Sequence, residues 1–150
     1  QAVNLAEKLV KIATDEAASS NEERDAQERA RLLETLGVAG EEKLPPSLRA
    51  QVRQLEEDQK RRAKRSVTDS LDRTLTDLLS FYRDVLVVQL GGAVEPVNTE
   101  IAAEVAEFAA TSTASVTLAR MDAVNTTRQR ITTSNVAPLL AVEAMAVSLI

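Results

Sequence analysis

SLRAQVRQLEEDQKRRAKRSVTDSLDRTLTDLLSFYRDVLVVQL, residues 47–90, contains neither Gly nor Pro. Pro45-Pro46 stand before it and Gly91-Gly92 after it, so turn residues bracket a run with no helix breaker. The run reads as one very long helix or two nearly collinear ones. At about 1.5 Å per residue, one helix over it would reach roughly 66 Å, longer than a domain of this size is wide. Its first half carries the apolar stripe Leu48, Val52, Leu55, and its second half Leu71, Leu75, Leu78, Tyr82, Val85/Leu86 and Gln89. On a straight helix these stripes lie a third of a turn or more apart. The linking positions Gln59, Ala63 and Ser66 are small or polar, so the halves bury different faces or the helix bends near 60–66. A ladder at i, i+4 (Glu57, Arg61, Arg65, Asp69, Arg73, Asp77), with Glu56–Lys60 and Asp58–Arg62 beside it, favours one continuous helix.

Composition narrows the chemistry. The 150 residues include no Cys and no His, which removes disulfides, thiolate metal sites and the commonest general base. Phe81, Tyr82 and Phe108 are the aromatic residues, too few for a base-stacking platform. Ala, Leu, Val, Glu and Arg dominate, as in helices packed on helices. The net charge of −5 argues against wholesale nucleic-acid binding, although only Arg120, Arg128 and Arg130 among the basic residues follow Gly91. No apolar run is long enough for a membrane span, and no secretory signal is visible. The expectation is a cytoplasmic, all-α bundle of about six helices built around the long, possibly bent helix 47–90, in one domain over 1–150. Beginning at Gln1, it reads as a piece cut from a longer protein.

Upstream of the long run, helical spacing at Val3, Ala6, Leu9/Val10, Ala13 and Ala17 predicts a first helix. Ser19-Ser20-Asn21 reads as an interruption, with Asn21 capping a second helix that buries Ala26, Leu32/Leu33 and Leu36 and stops at Gly37. Residues 38–46 read as a loop. Downstream, Gly91–Asn98 reads as a loop, and Asn98 or Thr99 as the cap of a helix with Ile101, Val105, Phe108 and Ala109 inward. Thr111-Ser112-Thr113 breaks that helix, a Thr-rich helix covers about 115–133, and Asn135, as a cap of the helix or of its loop, marks with Pro138 the start of a last helix from Pro138 to Ile150. That last helix is apolar on nearly every face, which predicts burial on every face. Residues 98–150 thus form a three-helix unit closing on the second half of the long helix.

FYRDVLVVQLGG (81–92), PVN (96–98) and NVAPLLAVEAM (135–145) follow one another in that order. Together they resemble the C-terminal collar domain of bacterial clamp-loader subunits, the complex that loads the replicative sliding clamp. The matching positions are Arg83, Asp84, Gly91, Asn98, Asn135, Pro138, Leu140 and Glu143. LEEDQKRRAKR and SLDRTLTDLLSFYRD further resemble the delta-prime family of DNA polymerase III, in an actinobacterial-like form; the related gamma/tau collar is the near alternative. The resemblance is strongest over 55–150. It implies an assembly role in DNA replication: a collar, part of a longer AAA+ subunit, that oligomerises with the gamma/tau and delta subunits. The parent's ATPase elements are absent from this sequence, so the resemblance implies no catalytic residues, no cofactor, no metal, no small-molecule substrate and no nucleotide turnover.

Each conspicuous feature has a plainer reading. Lys60, Arg61, Arg62, Lys64 and Arg65 form a basic belt that could neutralise phosphates, yet consecutive residues fan around a helix. Glu56, Glu57, Asp58 and Asp69 lie within reach of it, so salt bridging competes with DNA contact. Arg83-Asp84 reads as a structural pair rather than a catalytic one. Glu143, inside an apolar helix, needs a partner, and Arg120 or Arg128 is the expected one.

Overall fold

The computed structural model describes residues 2–38 and 44–149. Their regular structure is all helical, with five α-helices and one short 3-10 turn joined by loops. Helix α1 runs Ala2–Thr35, α2 Pro46–Gln89, α3 Ala102–Thr111, α4 Ala114–Thr133 and α5 Pro138–Ser148; the 3-10 turn Thr99–Ile101 leads into α3. No helix among them is long and apolar enough to cross a membrane.

The long helix is continuous, as its lack of breakers predicts. Its start is set by Pro45, whose carbonyl accepts from the Leu48 and Arg49 amides, and Pro46 at the first helical position gives up only an amide that would have no partner there. It ends on Gly91 at φ +64°, with Gly91 N donating to Val88 O (3.2 Å) and Gly92 N to Val87 O (2.9 Å). Helix α1 ends the same way at Gly37, φ +68°. Gly37 N donates to Glu34 O and Val38 N to Leu33 O, so both helices close in the paired bonding that a left-handed glycine permits.

Two expectations about α1 fail. The chain does not break at Ser19-Ser20-Asn21: Ser20 Oγ and Asn21 Nδ2 donate back to the Glu16 and Ala17 carbonyls, and α1 continues. With the two expected helices fused, the total is five α-helices rather than about six. Ala26, expected in the core, is exposed, and Asp25 and Glu28 are turned inward instead. Of the expected loop 38–46, residues 39–43 lie outside the described residues, as does Ile150 at the end of the last helix.

Contacts divide the chain into two compact units, Gln1–Val10 with Leu71–Ile150 and Lys11–Ser70. In the first, Leu71, Leu75, Tyr82 and Val85 of α2 form the stripe read from the sequence, buried with Val105, Val124, Ile131, Val142 and Met145. Helix α5 departs from expectation. Ala141, Val142, Met145 and Ala146 are buried, but Leu140 and Val147 remain 61% and 63% exposed. An apolar composition all round therefore leaves one face of α5 open. In the second unit the fully buried apolar residues are Ala13, Ala17, Leu44 and Val52; Leu32, Leu33, Leu48 and Leu55 are half-buried, and polar bonds join the two helices between them.

Candidate functional site

Within the first unit three of the residues singled out in the sequence, Arg83, Asp84 and Asn98, meet around the Asp84 carboxylate. Asp84 is 1% exposed and sits one turn before the end of α2's apolar stripe. It accepts from Val97 N (3.0 and 2.9 Å), Asn98 N (2.7 Å), Asn98 Nδ2 (2.8 Å) and Arg83 Nη1 (2.7 Å). Arg83 donates at the same time to Glu95 O (3.0 Å), and Asn98 Nδ2 also reaches Ser80 Oγ (3.1 Å). The turn at Gly91 brings residues 95–98 back along α2, and Asp84 ties them down. Burial pushes its carboxyl up, but the donors from Asn98, Val97 and Arg83 outweigh that and hold it down at about 2. Asn98 does not cap the following helix as expected, because its side chain is committed to Asp84 and Ser80.

The C-terminal family-like positions are not part of this cluster. Asn135 is exposed and the N-cap of α5 is Ala137, without a side-chain cap bond, so the expected capping role of Asn135 is absent. Pro138 opens α5 as predicted. Glu143 is half-buried and pairs with neither expected arginine. Arg128 forks onto Asp72 (Nε to Oδ1 2.8 Å, Nη2 to Oδ2 3.1 Å), which lowers the Asp72 pKa. Arg120 instead lies over the Phe108 ring, 5.0 Å from its centroid. Phe81, Tyr82 and Phe108 meet edge to face at centroid separations of 5.4 to 5.9 Å, the favoured arrangement for their ring quadrupoles.

Gln89, read from the sequence only as the polar end of a stripe, joins three elements. Its Nε2 donates to Ser112 O (3.0 Å), Ser112 Oγ (3.0 Å) and Ala109 O (3.4 Å), while its Oε1 accepts from Thr117 Oγ1 (2.9 Å). Thr117 is fully buried. The signal was a glutamine on a position that the period assigns to the core.

In the second unit the basic belt is largely neutralised from within. Arg62 Nη2 donates to Asp25 and Glu28 of α1, each at 2.5 Å. Arg61 pairs with Asp58 one turn back, and Lys60 with Glu57 at 3.7 Å. The expected i, i+4 pairs Glu56–Lys60 and Asp58–Arg62 are absent: Glu56 faces Arg29 (3.4 Å) and Arg62 faces α1. Lys64 and Arg65 are exposed. Around Arg62 the two helices are joined by polar bonds. Ser70 Oγ donates to Glu16, Asn21 Nδ2 to Ser66 Oγ (3.0 Å) and Gln59 Nε2 to Asp25 O (3.0 Å). Partner numbers on α2 fall as those on α1 rise, which marks an antiparallel pair. The hydrogen bond from Arg62, followed by lesser contributions from Arg24 and Gln59, brings the Glu28 carboxyl down to about 2. Gln59, Ala63 and Ser66, the small or polar positions between the two apolar stripes, thus lie along the α1 seam.

No group of three or more His, Cys, Asp or Glu among the described residues is placed to hold a metal ion. The clusters around Asp84, Gln89 and Arg62 hold segments together and present no nucleophile beside a base. Comparison of the chain with protein-family models, with curated proteins and with solved structures returns no match.

Proposed function

We propose that this chain is a subunit-assembly domain, the C-terminal collar of a delta-prime-type subunit of the bacterial DNA polymerase III clamp loader, working in the cytoplasm with gamma/tau and delta subunits. The observation that carries the reading is the convergence of Arg83, Asp84 and Asn98. These positions, spread over the 81–98 motif that resembles the collar family, are joined in one hydrogen-bonded cluster around the buried Asp84 carboxylate. A motif with that job is expected in a domain whose work is to hold a fixed shape. The open face of α5, with Leu140 and Val147 more than 60% exposed, offers apolar surface for a neighbouring subunit to cover. On this reading the fragment is not an enzyme and takes no cofactor.

Nucleic-acid contact through 60–65 is the weaker alternative, since three of the five cations already pair with carboxylates of this chain. The test is assembly. Mixed with gamma/tau and delta collar-bearing subunits at micromolar concentration, the chain is expected to co-elute on size exclusion. Leu140→Glu with Val147→Glu should abolish co-elution while leaving the far-ultraviolet circular dichroism unchanged, because both side chains are solvent-exposed. Failure of the unmodified chain to co-elute overturns the reading. Salt-sensitive DNA binding lost in Lys64→Glu/Arg65→Glu would favour the alternative.

A further inference from the structure

The first unit contains a cavity of about 750 Å³. Leu5 and Leu9 of α1, Leu75 and Leu78 of α2, and Met145 and Leu149 at the C-terminal end give it apolar walls. Its volume falls in the range of small-molecule pockets, which are largely apolar with a few polar groups that fix orientation. Among the described lining residues Arg120 supplies the ionised group, and Tyr82 brings a phenol to the same wall. Those two groups are neighbours: Arg120 lies over Phe108 at 5.0 Å, and Tyr82 packs on Phe108 at 5.9 Å. No carboxylate pairs with Arg120 among the described residues; its described interaction is with the face of Phe108. A half-buried guanidinium held by an aromatic ring, with its planar fork of donors left for a carboxylate, is matched in charge to an anion.

We propose that this cavity binds a single amphipathic carboxylate, a medium-chain acyl acid, with its chain among the leucines and its carboxylate on Arg120. The inference is independent of the assembly role.

The experiment titrates decanoate, below its micelle concentration, into the full chain and follows binding by calorimetry and by methyl and Arg Nε–H NMR shifts. The expected result is saturable binding of one decanoate, with shifts at Leu5, Leu75, Met145 and Arg120. Arg120→Gln should weaken it tenfold or more with circular dichroism unchanged, and decanol and decyltrimethylammonium should bind at least tenfold more weakly than decanoate. Leu78→Trp, which fills the cavity and leaves Arg120 in place, should also abolish binding. Absence of saturable decanoate binding overturns the proposal. So does an Arg120→Gln affinity equal to that of the unmodified chain, or a decanol affinity equal to that of decanoate.

Discussion

Asp84 shows how a single carboxylate can fix a loop. A buried, ionised carboxylate is costly when unpaired, yet here backbone amides of Val97 and Asn98, the Asn98 amide and Arg83 all point at it. Asp84→Asn would turn an amide N–H₂ toward at least one of those donors and remove the charge they share. The expected loss is about 3 kcal/mol in urea unfolding at pH 7. Arg83→Ala should cost only about 1 kcal/mol, because that side chain is 36% exposed and solvent replaces its bond. The pH dependence follows from the depressed pKa. The unfolded carboxyl titrates near 4 and the folded one at about 2. The contribution is therefore complete above about pH 5 and lost as pH falls from about 4 through about 2. Urea midpoints of the unmodified chain and Asp84→Asn should converge over that interval. An Asp84→Asn variant as stable as the parent at pH 7 would contradict the role given to this residue.

At the scale of elements, much of the helix pair 11–35 and 46–70, from Glu16–Ser70 to Arg29–Glu56, is joined by polar bonds. Asp25 and Glu28 stand one turn apart on α1 and would repel each other without Arg62 between them. Both bonds leave from one nitrogen, Nη2, and Arg62 Nε is buried without a partner. Arg62→Lys should consequently retain most of the stability, since one ammonium nitrogen can serve both acids. Arg62→Ala should lose about 1–2 kcal/mol by thermal or urea unfolding, and a Lys variant as damaged as Ala would show that the guanidinium plane matters. The same pair marks the limit of what was legible in the sequence. Continuity of α2 was readable because nothing between Pro46 and Gly91 can break a helix; Gly37 was readable as a glycine helix stop and Gly91-Gly92 as the turn that ends α2. Continuity of α1 was not. Ser20 and Asn21 are cap-forming residues by local preference, and it is a tertiary partner, Ser66 on α2, that gives Asn21 an alternative use. The basic belt was visible as charge, but its principal partners, Asp25 and Glu28, lie 34 to 37 residues earlier and are found only once the antiparallel register is known. Likewise Arg83, Asp84 and Asn98 could be named from sequence, whereas their meeting depends on the path of residues 91–98.

Across the whole molecule, the two compact units differ in what stabilises them. One buries Leu71, Leu75, Tyr82, Val85, Val105, Val124, Ile131, Val142 and Met145; the other buries two alanines, Leu44 and Val52. Fully burying a large apolar side chain contributes about 1.5–3 kcal/mol, and alanine much less, so the hydrophobic term is concentrated in the first unit. The second relies on charged and polar bonds whose groups remain partly solvated, with the Arg62, Asp25 and Glu28 side chains 24–29% exposed. Such bonds return little net free energy and are weakened by salt. Local opening should therefore cost less in the second unit, and α2, which contributes to both, provides an internal comparison along one helix. Amide hydrogen exchange is expected to show protection falling by about a hundredfold or more from Leu75–Val85 to Gln54–Ala63, with the change centred near Ser70 and Leu71. Raising sodium chloride to 1 M should lower protection over 54–63 while leaving 75–85 nearly unchanged. Both segments have the same regular backbone bonding, so helix formation alone would make them exchange alike. Uniform protection along α2 would mean that the polar seam is as strong as the leucine core, and the division of labour argued from burial would fail.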